Sequence, residues 1–366
     1  MNGDILYQIA LTQIPNIGCV YAKLLLQQLN AREVFSAKKS TLLKIEGLGE
    51  VRANAITTFK DFERAEKEII FIENYKIQPL FITDEDYPQR LLNCYDPPTI
   101  LYYRGNASLN SSRVIAMVGS RTNTEYGKAV TDKIVADLAG TGVLIVSGLA
   151  YGIDALSHKA ALRNNLQTVG VLAHGLDKIY PSENTSMAKE MVQHGGLLTE
   201  FMTKTKPDRH NFPNRNRVVA GMSDATIVIE TDMKGGSLIT AELANGYNRE
   251  VFAIPGKISD RKSSGCNHLI KSNKAILLTD AQQLLNSMGW NDEKKRSAKK
   301  KIRELFIELT PSEKVIVDML NESGELAIDE INFRCGLSSS SVAVAILNLE
   351  MQNIIQSLPG KMYKML

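Results

Sequence analysis

Three short glycine-bearing segments carry the residue types that hold phosphate. The first is Gly119-Ser120-Arg121, directly after the apolar run Val114–Val118. Glycine lets a ligand approach the backbone, serine adds a hydroxyl, and arginine adds a planar charged fork matched to phosphate oxygens. A helix is expected to start near Thr124, and its first turn would contribute unpaired N–H groups. The second segment runs Ser147-Gly148-Leu149-Ala150-Tyr151-Gly152-Ile153-Asp154, with two glycines bracketing another turn before a helix. The third is Lys234-Gly235-Gly236-Ser237, which opens a helix through Thr240 and Glu242. Three such turns at one sheet edge make a row of anion sites, which suits a polyanion better than a mononucleotide.

A fourth stretch, Asn211-Phe212-Pro213-Asn214-Arg215-Asn216-Arg217, joins an aromatic ring, two arginines and several amides. Arginines for phosphates and Phe212 as a stacking platform suit a single strand of nucleic acid. The plainer alternative pairs one arginine with a nearby acid and packs Phe212 in the core. Asp154 and His158, four residues apart, share one helix face. They read as a cap and a packed histidine, with acid–base or metal chemistry as the alternative. The strict GxGxxG spacing is absent, and the second strand ends in Ser147-Gly148 where a dinucleotide site would place Asp or Glu. No nicotinamide or other cofactor is therefore expected. Cys19, Cys94, Cys266 and Cys335 form no CxxC pair, so neither a disulfide framework nor a metal site is expected.

These residues need a scaffold, and the apolar pattern supplies one. Valine- and isoleucine-rich runs at 114–118, 143–146, 168–172, 225–229 and 251–254 alternate with amphipathic stretches such as 129–138 and 241–247. Uninterrupted apolar strands between helices predict a parallel sheet buried on both faces, an α/β Rossmann-like, doubly wound domain. Residues 1 to about 70 read as helices. They contain two similar breaks, Ile14-Pro15-Asn16-Ile17-Gly18 and Ile45-Glu46-Gly47-Leu48-Gly49. The pair reads as helix-hairpin-helix units, either phosphate-holding or purely structural, with Asn16 where the motif usually has glycine. Residues 294–303, Lys-Lys-Arg-Ser-Ala-Lys-Lys-Lys-Ile-Arg, read as a basic linker. From about residue 309, three helices and a hairpin turning at Pro359-Gly360 outline a winged helix. Its third helix is poor in basic residues, so protein docking competes with DNA reading there.

The chain of 366 residues has 44% hydrophobic and 23% charged residues, which excludes collagen-like, disordered and coiled-coil classes. Its formal net charge of +3 permits a nucleic-acid partner without requiring one. No stretch approaches the roughly 18 apolar residues of a membrane span, and no basic region precedes an apolar core at the start. A cytoplasmic protein without membrane partners is expected.

The segments MVGSRTNTEYG, VSGLAYGIDALSHKAAL, GLDKIYPSEN, NFPNRNRVVAG, GGSLITAELA, EVFAIPG and GCNHLIKSNKA, in this order, closely resemble the bacterial DNA-processing protein A family, DprA or Smf. The resemblance covers residues from about 80 to 288. It implies an N-terminal helix-hairpin-helix or SAM-like domain (1–75), a Rossmann-like domain (76–288), a basic linker (289–304) and a winged helix (305–366). It implies a non-enzymatic homodimer that protects single-stranded DNA and helps load the RecA recombinase during natural transformation. Carried onto this chain, the DNA-binding positions are Gly119, Ser120, Arg121, Phe212, Arg215, Asn216 and Arg217, to which the glycine-turn reading adds Gly148, Gly235, Gly236 and Ser237. Asn214 stands where the family usually has a charge, and Gly235 where serine is common. The alternative is a nucleotide-cleaving enzyme of the phosphoribohydrolase type, for which Gly235-Gly236, Thr240 and Glu242 are a faint motif. An adaptor docking through the winged helix is a further possibility.

Overall fold

The computed structural model describes residues 4–290, 309–352, 354–358 and 362–366. The chain divides into two compact units, Met1–Met288 and Gly289–Leu366. The basic run 294–303, most of the expected linker 289–304 and the Pro359-Gly360 turn lie outside the described residues. Among those described, no helix is long and apolar enough to cross a membrane.

The first unit begins with short helices, among them Ile5–Leu11, Cys19–Leu26, Gly49–Thr58 and Glu63–Asn74. Both predicted breaks are turns. Asn16 sits at φ 63° and Gly47 at φ 82°, so asparagine occupies here the left-handed conformation that glycine supplies in the second turn. The apolar faces of these helices join a core that continues from Ile5 to Leu269. The last helix is anchored to the α/β part by Glu68. Its buried carboxylate accepts from Thr203 N at 2.9 and 3.1 Å and from Thr203 Oγ1 at 2.6 Å.

A nine-stranded sheet forms the centre. Its strands are β1 (Gln78–Phe81), β2 (Ile100–Gly105), β3 (Val114–Val118), β4 (Leu144–Ser147), β5 (Thr168–Val171), β6 (Gly195–Thr199), β7 (Ala225–Val228), β8 (Glu250–Ala253) and β9 (Ile276–Leu277). The spatial order is β1-β2-β6-β5-β4-β3-β7-β8-β9. Strands β6 to β9 pair in parallel, and β2 and β1 extend one edge antiparallel. β3, β4, β5, β7 and β8 are apolar because helices cover both sheet faces. The chain runs from β3 outward to one side and returns to β7 on the other. The gap beside the carboxyl end of β3 is therefore a topological switch point, where sheets of this type bind ligands.

Strand β6 escapes the apolar pattern because it opens with Gly195-Gly196. Both glycines are required by close packing, not by a turn. A Cβ at Gly195 would overlap the Thr168 carbonyl, and one at Gly196 would overlap the Tyr103 ring.

The second unit has helices Pro311–Ser323, Ile328–Arg334 and Ser339–Met351 and a sheet of β10 (Glu325–Ala327), β11 (Ile355–Leu358) and β12 (Met362–Met365), ordered β10-β12-β11. Thr310 and Glu313 close a capping box on the first helix, and Ser338 caps the third through Ser341 N. Ile316, Leu320, Ile331, Val342 and Leu349 form its core. This is the winged helix the sequence predicts.

Candidate nucleic-acid interface

A groove of about 510 Å³ lies at the carboxyl ends of β3, β4 and β7, beside the helix Asn211–Gly221. The turn after β3 forms its first wall. A Cβ at Gly119 would come within 2.5 Å of Ile153 Cγ1, and Ser120 N donates to Glu230 O at 2.7 Å. Ser120 O accepts from Ile153 N at 3.1 Å, and Gly152, at φ 75°, leaves no room for a Cβ against that carbonyl. The first and second glycine turns are thus locked backbone to backbone. The expected amide site at the following helix start is already filled. The buried Glu230 carboxylate accepts from Thr124 N at 2.9 Å and from Thr124 Oγ1. Gly127 has no side chain because a Cβ would meet that carboxylate. The predicted row of anion sites is therefore broken at its first turn, where the helix-start amide of Thr124 is taken by Glu230.

Arg121 stands differently. It is exposed, and among the described residues it makes no ion pair. Its guanidinium carbon lies 4.8 Å above the centre of the Phe212 ring, and that ring is 6.5 Å from the half-exposed Tyr180 ring. A cation stacked on an aromatic face keeps its outward N–H groups free for an anion. Lys262 Nζ reaches the same turn, donating to Ser120 Oγ at 3.0 Å and to Thr122 Oγ1 at 2.6 Å.

The third turn is open. Gly235 lies against Thr231 Oγ1 with no space for a Cβ, whereas Gly236 faces nothing within 4 Å. The helix Gly236–Gly246 begins here, and the Ser237 hydroxyl is buried without a hydrogen-bond partner while lining the groove. Lys234 N and Gly235 N already donate to Asp232, at 3.0 and 3.1 Å, so among the described residues the Gly236 and Ser237 amides are the ones left open here, and with the unpartnered hydroxyl at a helix start they favour an anion. Asn216 Oδ1 accepts from Arg215 Nε at 3.0 Å, which leaves the Asn216 amide nitrogen as a donor. Arg209 and Lys234 complete the lining with exposed charges.

Contrary to expectation, neither arginine of the basic stretch is free for phosphate. Arg215 is 5% exposed, and its guanidinium donates to Val171 O at 2.8 Å and to Gly148 O. Gly148 is glycine because a Cβ would overlap that guanidinium. Arg215 therefore ties the ends of β4 and β5 together and forms the groove floor. Arg217 is off the groove. It pairs with the Glu200 carboxylate and donates to Asp96 O. Burial pushes the Glu200 carboxyl up, opposed by Arg217. Asp154 is not the expected cap: Gly152 holds the N-cap position of the helix Ile153–Arg163, and Asp154, inside its first turn, accepts from Ala150 N at 3.4 Å. Burial raises its pKa, opposed first by Arg215.

Arg209 and Lys262 were not legible as site residues. Arg209 sits in a turn and Lys262 in the single 3-10 turn Arg261–Ser263, neither at a strand end, and only the fold brings Lys262 within reach of Ser120, 142 positions earlier.

The sequence matches the family described as DNA recombination-mediator protein A over residues 78–289 and the DprA winged helix domain over 307–361. Protein Smf of Synechocystis is 32% identical over 99% of this chain and 99% of its own length. The chain belongs to the DprA/Smf family. The solved structure of DNA processing protein A from Streptococcus pneumoniae matches with a TM-score of 0.67 at 32% identity, over 77% of this chain and 97% of that one. DNA processing protein A from Helicobacter pylori, solved for its single-stranded DNA binding mode, matches with a TM-score of 0.53 at 31% identity, over 58% and 96%.

In this DprA/Smf chain, His158 is a packed histidine. Its Nδ1 lies 2.7 Å from Thr168 Oγ1, and it is fully buried. Burial, aided by Arg215, lowers its pKa from 6.5 to about 3. The unfolded chain therefore binds more protons between those two values. This contribution to stability is whole above pH 6.5 and falls as the pH drops toward 3, at up to about 1.4 kcal/mol per pH unit. Urea unfolding of wild type and His158→Asn at pH 7 and pH 5 should show a smaller pH loss in the variant. Equal losses would contradict the assignment.

Proposed function

We propose that this chain holds single-stranded DNA in the groove at the carboxyl ends of β3, β4 and β7, and delivers the strand to the RecA recombinase during DNA uptake in the cytoplasm. The observation that carries this reading is the exposed Arg121 guanidinium stacked on Phe212, facing a turn with open amides and the unpartnered Ser237 hydroxyl. Arg121, Arg209, Lys234 and Lys262 supply charge for phosphates, and Phe212 and Tyr180 supply flat faces for bases, the combination that single-strand binders use. The Helicobacter relative solved for its single-stranded DNA binding mode supports the same reading. Gly119, Gly148 and Arg215 then shape the groove, and Ser120, Asn216, Gly235 and Gly236 line it.

Fluorescence anisotropy with labelled oligothymidylate tests the proposal. With four cations each meeting one phosphate, the log–log salt slope should be about −3, since a single strand contributes about −0.7 per phosphate. A duplex of equal length should bind more weakly. Salt-independent affinity or a preference for duplex would overturn the proposal. Transfer to RecA is read from filament assembly on DNA covered by a single-strand-binding protein. Assembly that is no faster with the chain present would remove that part.

We read the role as non-catalytic. Glu242 is exposed, paired with Lys274 Nζ at 2.7 Å, and absent from the groove lining. That placement favours a mediator over a base-removing enzyme, and release of free base from nucleoside monophosphates would reverse the choice. A homodimer accords with the edge strand β9, which among the described residues pairs only with β8 and leaves Ile276 and Leu277 each 41% exposed. Sedimentation at twice the monomer mass would support it, and a monomer at micromolar concentration would count against it.

A further inference from the structure

A second groove of about 630 Å³ lies between the C-terminal end of the helix Glu63–Asn74 and the helix Thr185–His194. The Phe71 and Tyr75 rings stack in one wall, with centroids 4.4 Å apart and planes inclined by 32°. Tyr75 is 50% exposed. Arg104, Lys178 and Lys189 line the groove, and an adjoining hollow of about 450 Å³ shares Tyr75 and Arg104 and adds Lys76. Among the described residues, none of these four cations is in an ion pair. The lining holds one carboxylate against these cations, Asp177, whose Oδ1 accepts from Lys204 N at 3.0 Å.

The two grooves share one segment of chain. Asp177, Lys178 and Ile179 line the second groove, and the next residue, Tyr180, faces Phe212 of the first. A flexible polyanion lying on Arg121 and Phe212 therefore meets Tyr180, then Lys178, then the Phe71–Tyr75 pair. Unpaired cations interleaved with aromatic faces suit phosphates and bases in alternation, whereas an acidic peptide would gain nothing from the stacked rings.

We propose that this second groove is an extension of the single-strand path, so that one strand runs from Arg121 and Phe212 over Tyr180 to Arg104, Lys178, Lys189 and Tyr75. The proposal rests on the first groove binding single-stranded DNA.

The test compares two labelled oligothymidylates, about 6 and about 20 nucleotides long, lengths that span one and more than one binding unit. The variants are Arg104→Gln/Lys178→Gln/Lys189→Gln and, separately, Tyr75→Ala. All four positions lie at least partly open to solvent, and circular dichroism checks their folding. The triple variant should lose about tenfold in affinity for the long oligonucleotide, with a salt slope shallower by about 2. Its affinity for the short one should change less than twofold. Tyr75→Ala should weaken only the long one. Wild-type affinity of both variants for the long oligonucleotide would overturn the proposal. So would capture of polyglutamate by wild type but not by the triple variant with DNA binding unchanged, which would assign the groove to an acidic protein segment. Failure of wild type to bind even the short oligonucleotide would instead refute the first groove, and the extension with it.

Discussion

Replacing Arg217 with alanine should lower the free energy of unfolding by about 3–5 kcal/mol, the usual cost of stripping one partner from a buried ion pair. The side chains of Arg217 and Glu200 are 12% and 16% exposed, and their ion pair lies beside Asp96. Tyr247 OH donates to Asp96 Oδ1 at 2.6 Å, so the network joins the helix Asn211–Gly221 to the segments around residues 96, 200 and 247. Without the guanidinium, Glu200 is left as a buried acid whose pKa burial already raises. Urea unfolding at neutral pH measures the loss, and the double variant Arg217→Met/Glu200→Gln should recover part of it. Single-strand affinity per folded molecule should stay near wild type. A stable Arg217→Ala protein with poor binding would return this arginine to the role its spacing suggests.

Replacing Arg121 or Phe212 with alanine should leave the fold intact and weaken binding to oligothymidylate by about 10- to 100-fold each, in line with about 1–3 kcal/mol per stacked base and a lost phosphate contact. The two losses should be less than additive. The guanidinium sits 4.8 Å from the ring centre, so removing either side chain releases the other. Arg121→Ala should also make the salt slope shallower by about 0.7. Anisotropy titrations of the two single variants and the double supply the cycle. Unchanged affinity in Arg121→Ala would remove the main contact of the proposed groove.

The parallel core was legible because β3, β4, β5, β7 and β8 are continuous apolar runs with helices between them. The outer edge from β6 through β2 to β1 was not legible. β1 is only four residues long and contains Pro79, and β6 begins with two glycines that resemble a turn. At the site, glycine spacing located the turns after β3, β4 and β7, but spacing does not reveal which polar groups are already taken. Glu230 fills the helix start at Thr124, and Arg215 and Arg217 spend their charge on carbonyls and on Glu200. Those partners lie between 17 and 121 positions away, beyond any local pattern. Arg121 and Arg217 therefore look alike in sequence and have opposite roles, one exposed on an aromatic ring and the other buried in a clamp.

The most direct test of the groove is photocrosslinking with oligothymidylate carrying 5-iododeoxyuridine, followed by mass spectrometry of the crosslinked peptides. Bases stacked on the proposed platform should crosslink at Phe212 or Tyr180, and the yield should fall in Arg121→Ala. Crosslinks confined to the winged helix, with neither aromatic modified, would contradict the placement of the strand.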